Sequence, residues 1–292
     1  MKRRLRFTPV GQTPLAQNGK HQFALRHAMA VFASDTIYSM IPKNGSTGLR
    51  TAVGVANGVI DGPQQNGWIS GNPHQTYAPV TIAELARARF TFVVLRDPFT
   101  RLSSAYLDKI VARKPDLWPF LGATNGALRA EDVTFRRFVE TVTTNQGARN
   151  NPHWRPQEEF LIYETYDAVI PLERLHDHAD LLRERAGLQV VDALSVGDNQ
   201  NARFTTLDDR LYADTRPHDL FGMQGEQQRS PSHAAMYDDE LRERVEACYA
   251  QDLFLHRAAM GAFEPPAGAD PAATRPGIAA ESAPGKALET AA

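Results

Sequence analysis

The sequence predicts an α/β fold with a mostly parallel central sheet flanked by helices, and three observations carry that prediction. Short runs of β-branched and aromatic residues end in turn signals, amphipathic helical stretches separate them, and the two alternate along 292 residues of 42% hydrophobic content, enough for a sizeable core. The first strand is read at 36–41, Thr-Ile-Tyr-Ser-Met-Ile, closed by Pro42. The second is Phe90–Leu95, closed by Asp97-Pro98, and the third is 167–172, with Pro171 near its end. Helical stretches are read at 47–59, 98–111, 135–142, 178–186 and 238–256. The second of these places Phe99, Leu102, Tyr106 and Ile110 at spacings of three to four residues. In open sheets of this kind ligands sit beyond the carboxyl ends of the strands, so the residues following Ile41 and Leu95 are the place to look for chemistry.

Composition narrows the function classes. A formal charge of −2 lacks the basic footprint of a dedicated nucleic-acid binder, so any anion must meet a local cluster. The lone Cys248 permits no intrachain disulfide and no cysteine-rich zinc site, and a reducing, cytoplasmic setting is expected. No run reaches the roughly 18 to 20 apolar residues of a membrane span. The start is basic at Lys2, Arg3, Arg4 and Arg6 but is followed by no apolar stretch, so neither a signal peptide nor an anchor is expected. Residues 1–21 are read as a flexible basic N-terminus and 22–263 as one folded domain. Residues 264–292, with 10 Ala, 5 Pro and 3 Gly, are read as a disordered tail, because they bury too little apolar surface to offset ordering entropy.

Pro42-Lys43-Asn44-Gly45-Ser46-Thr47-Gly48-Leu49-Arg50 follows a strand and opens a helix. Small residues there let backbone N–H groups curl around a phosphate at a helix N-terminus, with Lys43, Ser46 and Thr47 as further donors. The Walker A spacing is absent, which counts against an ordinary NTPase. The bland alternative is a polar turn in which Ser46 or Thr47 caps the helix. At the second strand end, Asp97 suits the N-cap and Pro98 the first helical position, so Arg96 points into the same crevice, with Ser104 two turns further on. A guanidinium fork and a hydroxyl so placed can converge on one phosphate; alternatively Arg96 and Asp97 form a structural ion pair and Ser104 faces solvent.

These segments resemble the PAPS-dependent sulfotransferases, in particular the branch of carbohydrate sulfotransferases of the chondroitin and HNK-1 type with their bacterial relatives. Residues 42–47 are similar to that family's 5′-phosphosulfate loop. Arg96-Asp97-Pro98-Phe99-Thr100-Arg101-Leu102-Ser103-Ser104-Ala105-Tyr106-Leu107-Asp108-Lys109 is similar to its 3′-phosphate motif. Three weaker matches follow in family order, His153-Trp154-Arg155-Pro156-Gln157, then 166–175, then 249–254. The Golgi members carry a membrane anchor and several cysteines, whereas this sequence has the single Cys248 and no anchor is expected of it, and Leu253 and His256 stand where aromatic residues are more frequent.

The resemblance implies a three-layer fold like that of P-loop NTPases and in-line transfer of a sulfuryl group from 3′-phosphoadenosine 5′-phosphosulfate to a hydroxyl of a carbohydrate or other acceptor. No metal is called for if cations and backbone amides stabilise the charge. On this reading Lys43 stabilises the departing bridging oxygen. Asn44, Gly45, Ser46, Thr47 and Gly48, reinforced by Arg50, hold the 5′ group, while Arg96 and Ser104 take the 3′-phosphate; Arg101 is a further cation of the same crevice. His153 is the leading candidate base among nine histidines, with Glu158 and Glu159 as alternatives. Trp154 stacks on a ring or packs in the core; His176 and His178 flank Asp177 as a conceivable metal pair or a solvated turn. The acceptor pocket is expected from loops 61–80 and 197–232. Two other readings keep the crevice: a nucleotide kinase or NTPase, and a binding module without turnover. Of 32 cationic residues 26 are Arg and 6 Lys, yet position 43 carries the compact ammonium and position 96 the planar fork.

Overall fold

Strand ends and helix starts decide the architecture of the computed structural model, which describes residues 3–8, 14–190 and 204–261. Strands β1 (Ala28–Val31), β2 (Thr36–Ser39), β3 (Phe90–Leu95) and β4 (Ala168–Pro171) form one sheet in that order. β2, β3 and β4 are parallel; Ser39 lies opposite Val93 and Leu95 opposite Pro171, so the loops after β2 and β3 leave from one edge. β1 runs antiparallel to β2, with Ala28 opposite Ser39. It was not among the expected strands, because Ala-Met-Ala-Val is too short to show a period and lies directly behind a helix. A separate parallel pair joins β5 (Thr205–Leu207) to β6 (Arg229–Pro231).

The helices are α1 (Gly19–Arg26), α2 (Ser46–Ala56), α3 (Asn66–Gly71), α4 (Ile82–Arg87), α5 (Pro98–Ala105), α6 (Leu117–Ala123), α7 (Phe135–Thr144), α8 (Gln146–Arg149), α9 (Ala179–Ala186), α10 (Pro217–Gly225), α11 (Asp239–Cys248) and α12 (Ala250–Ala259). Side chains alternate across the strands, so both sheet faces are buried. Tyr38, Phe92, Val94 and Ile170 meet Leu49, Ala52 and Val53 of α2 and Leu182 of α9 on one face. On the other, Ile37, Val93 and Leu95 meet Phe23 and Ala24 of α1 and Leu255 of α12. A third cluster, built by α5, α6, α7, α10 and α11, closes around Phe120, Phe138 and Trp154. Trp154 is fully buried with both phenylalanines edge-on to it and its Nε1–H on the Ala148 carbonyl at 2.7 Å, so it is a core residue.

Several expectations are revised. The stretch 98–111 is α5 followed by a wider π-helical turn, Tyr106–Val111, a local widening that re-aims side chains. The expected helix 238–256 is two helices broken at Tyr249, whose hydroxyl bonds the Trp154 carbonyl at 2.7 Å. Residues 61–80 hold α3 and two short 3-10 turns rather than open loop. At the N-terminus residues 3–8 are docked: Leu5 bridges to Tyr163, and Arg3 pairs with Asp167 at 2.6 Å while donating to the Ala88 and Arg89 carbonyls. The tail 264–292 and residues 197–203 of the second expected acceptor loop lie outside the described residues. Among the described residues no helix is long and apolar enough to cross a membrane.

One buried cation locks these parts together. Arg101, 1% exposed, donates Nε to the Pro42 carbonyl (3.2 Å), one terminal nitrogen to Arg155 O (2.7 Å) and the other to Pro152 O (2.9 Å). At 1% exposure, with each nitrogen on a backbone carbonyl, its guanidinium is closed off from any anion in the crevice, unlike the placement read from the sequence. Burial pushes its pKa down to about 10, which leaves it charged at neutral pH. Arg101→Met should strand three part-buried carbonyls and lower the unfolding free energy by about 3 kcal/mol or more, read from chemical denaturation. An unchanged midpoint would show that these bonds contribute nothing net.

Candidate active site

The loop after β2 is folded by two left-handed residues. Lys43 has φ of 71° and Gly45 φ of 69°, and a Cβ at Gly45 would stand 2.9 Å from Leu172 Cδ1, so this turn needs glycine at position 45. The tight turn ends at α2 with Gly45 as N-cap and no side chain on the first N–H groups. α2 therefore presents uncapped donors at Ser46, Thr47 and Gly48, whereas at α5 Asp97 Oδ1 accepts from Thr100 N at 2.9 Å. Capping by Ser46 or Thr47, the bland reading of this loop, is not what the structure shows.

Asn44 ties the loop to the sheet. Its side chain is fully buried, Nδ2 donating to Val94 O (2.8 Å) and to Gln157 Oε1 (2.6 Å), while its Oδ1 has no partner among the described residues. Gln157 Oε1 also accepts from Arg96 N (3.0 Å), and Gln157 Nε2 donates to Arg96 O (2.8 Å). One buried amide thus braces the end of β3 against the loop after β2. Gln157 is held in turn by Asp252, whose carboxylate accepts from Gln157 N (2.7 Å) and Glu158 N (3.0 Å). Burial raises the Asp252 pKa to about 6 against those bonds and the field of Arg101.

Arg96 leaves this brace with its guanidinium half-buried. Nε donates to Thr100 Oγ1 (3.2 Å), one terminal nitrogen to Lys43 O (2.9 Å), and the other lies 3.4 Å from His233 Nε2. No carboxylate of the described residues comes within 4 Å of it, although Glu173 and Asp97 contribute field from further away. His233, unremarked in the sequence, also places Nδ1 2.7 Å from Ser103 Oγ. Burial, then the fields of Arg96 and Lys43, push it down to about 4, so it is neutral at pH 7 and accepts from Arg96. Ser104 is 5% exposed and its side chain makes no hydrogen bond to another described residue.

A line of alternating charge runs from the loop. Lys43 Nζ pairs with Asp108 at 2.9 Å; Asp108 pairs with Lys109 at 3.2 Å; Lys109 lies 4.0 Å from Asp116; and Asp116 Oδ1 is 3.1 Å from His153 Nδ1. The π-helical turn carries Asp108 and Lys109 into this row. Burial lowers the Lys43 pKa, opposed by Asp108. Burial also pushes the two carboxyls upward but is outweighed, at Asp108 by Lys43 and Lys109, and at Asp116 by His153, Asn151 and Lys109, which hold it well below the usual carboxylate range.

The structure thus brings together Lys43, the 44–48 backbone, Arg96 and His153. It does not bring in Arg50, which donates to the Tyr77 hydroxyl (3.0 Å) and to the Ile69 (2.6 Å) and Asn72 (2.8 Å) carbonyls. Glu158 is tied to Arg6 at 2.6 Å and Glu159 to Arg155 at 2.5 Å. His176 and His178 sit on an exposed 3-10 turn, and among the described residues no cluster of His, Cys, Asp or Glu is placed to hold a metal.

A family model described as the sulfotransferase family matches residues 35–256, about three quarters of the chain. No curated protein and no solved structure matches the chain.

The histidines set an acid sensitivity. His233 and His74, 7% exposed with Nε2 on Arg26 O at 2.7 Å, both titrate near 4 in the fold because burial disfavours the charged ring, against 6.5 unfolded. The folded state then binds fewer protons than the unfolded state between these values, so stability is lost as pH falls from 6.5 toward 4. Urea midpoints should be lower at pH 5 than at pH 7, and His233→Asn should narrow the difference. An equal pH dependence in the variant would remove His233 from this account.

Proposed function

The chain belongs to the sulfotransferase family, and we propose that it moves a sulfuryl group from 3′-phosphoadenosine 5′-phosphosulfate to a hydroxyl of a carbohydrate or other hydroxylated acceptor, on a P-loop-like three-layer scaffold of the carbohydrate-sulfotransferase branch. The observation that carries this reading is a pair of incomplete sites at one sheet edge. Arg96 is a half-buried cation with no carboxylate partner among the described residues, and beside it α2 opens with uncapped N–H groups. A buried cation and a bare helix N-terminus both favour an anion, and a nucleotide with phosphates at both ends of its ribose supplies one to each.

The chain's own residues divide the work. Backbone amides of residues 44–48 with Ser46 and Thr47 receive the 5′ group. Arg96 and Ser104 receive the 3′-phosphate and so select this donor over ATP, whose ribose carries none. Lys43 faces the charge that develops on the departing phosphate oxygen; its resting partner Asp108 holds the ammonium at the mouth of the loop. His153, tied into the same row of charges, takes the acceptor proton. The donor supplies the activated sulfuryl group, and the protein supplies position and electrostatics. A cytoplasmic location belongs to the same proposal and rests on the single cysteine, Cys248.

Adenosine 3′,5′-bisphosphate, the donor without its sulfuryl group, should raise the melting temperature where ADP and ATP do not; at about 100 times Kd it adds roughly 2.7 kcal/mol. Equal response to all three, or none to the bisphosphate, would sink the donor assignment. Arg96→Ala should weaken bisphosphate binding by about 2 kcal/mol or more, since a charge-assisted fork is lost. Unchanged affinity would refute its role.

A further inference from the structure

His153 is held from one side only. Its Nδ1 lies 3.1 Å from Asp116 Oδ1 and 3.0 Å from Asn151 Oδ1, and its backbone N–H also donates to Asn151 Oδ1 at 2.9 Å. The orientation of the Asn151 amide is fixed, because its Nδ2 donates to Asp116 Oδ1 at 2.8 Å. Nδ1 therefore faces two acceptors, which is tolerable only if it carries a proton. The neutral ring then has its lone pair on Nε2, which bonds to no described residue, while a quarter of the side chain remains exposed.

We infer that Asp116 is the positioning residue for His153: its carboxylate holds Nδ1–H, fixes the ring and its tautomer, and leaves Nε2 to receive the acceptor proton. The inference rests on the reading of His153 as base. In the step it serves, the acceptor O–H proton passes to Nε2 as the acceptor oxygen bonds to sulfur. The S–O bond to the donor phosphate breaks, and its electron pair stays on the phosphate oxygen beside Lys43. The imidazolium so formed is neutralised by Asp116, so charge appears at both ends of the reaction with a counter-charge already in place.

The surroundings explain why a carboxylate is needed. Burial lowers the His153 pKa, and Lys109 and Lys43 lower it further; Asp116 opposes them, and His27, at the end of α1, feels its charge in turn. Without Asp116 the ring would stand among cations as a weaker base. Asp116 is in turn kept ionised by Lys109, Asn151 and His153. Asp116 sits just before α6 and 37 positions before His153, in no pattern that marks it in the sequence.

The test is Asp116→Leu, close in size but unable to accept from Nδ1–H or to hold the Asn151 amide in place, so that the Nε2–H tautomer gains. In the full chain without donor, long-range 1H–15N spectra of His153 should show Nδ1–H in the wild type and a shift toward Nε2–H in the variant. The protonation midpoint, below 6.5 in the wild type, should move lower still. With donor and acceptor, kcat should fall about 100-fold with KM for the donor unchanged, and the acid limb of the rate profile should move down with the midpoint. Asp116→Glu, which retains the carboxylate, should recover part of the rate. If Asp116→Leu leaves the tautomer, the midpoint and kcat where they were, the inference is overturned. If His153→Ala keeps full turnover, the base assignment itself fails, an outcome separable from the first because the tautomer measurement needs no turnover.

Discussion

A single buried side-chain amide fixes the geometry on which the site depends. Gln157 joins three segments that are distant in sequence: its Oε1 accepts from the Asn44 side chain and the Arg96 backbone, its Nε2 donates to the Arg96 carbonyl, and its own N–H rests on Asp252. Parallel pairing places β2 and β3 side by side, but pairing alone leaves the loops beyond them free to diverge. The amide closes that gap by giving the end of β3 the pair of hydrogen bonds that another strand would otherwise supply. Arg101 repeats the device from the opposite side with three backbone carbonyls. The loop can hold Lys43 and Gly45 in left-handed conformations because its surroundings are over-determined in this way.

What the sequence discloses and what it hides differ for a physical reason. Lys43, Arg96 and the turn between β2 and α2 are legible because their chemistry is local: a strand end, a capping residue, small residues at a helix start. Asp97 and Pro98 announce α5 as caps do. Asp108, Asp116 and His233 are invisible as members of the candidate site, because their partners are chosen by topology; the π-helical turn swings Asp108 and Lys109 toward Lys43, and His233 arrives from beyond β6. Cations are the commonest misreading. Arg50 and Arg101 carry the right charge in the right neighbourhood, and only the fold shows that their donors are occupied by backbone carbonyls. Breaks hide as well: Tyr249 continues a helical pattern, yet its hydroxyl is drawn to Trp154 and the helix divides there.

The near-neutral net charge takes on a different meaning at this site. The cations are not gathered into a field but set in a row with carboxylates between them, Lys43, Asp108, Lys109, Asp116 and His153. Such a row binds little on its own, since each charge is already answered. Arg96 stands apart from it without a carboxylate, flanked by a neutral imidazole and the bare start of α2. On the proposed reading, selectivity for a doubly phosphorylated nucleotide comes from Arg96, which no carboxylate of the described residues answers, and reactivity from the row that shares its counter-charges.

The central claim is that this edge of the sheet holds the two phosphates of one nucleotide. A crystal structure of the chain with adenosine 3′,5′-bisphosphate tests it most directly. The account predicts the 5′-phosphate on the backbone N–H groups of residues 44–48 and the 3′-phosphate within hydrogen-bond distance of Arg96 and Ser104. An ordered nucleotide elsewhere on the molecule, or one bound here with its 3′-phosphate turned away from Arg96, would contradict it.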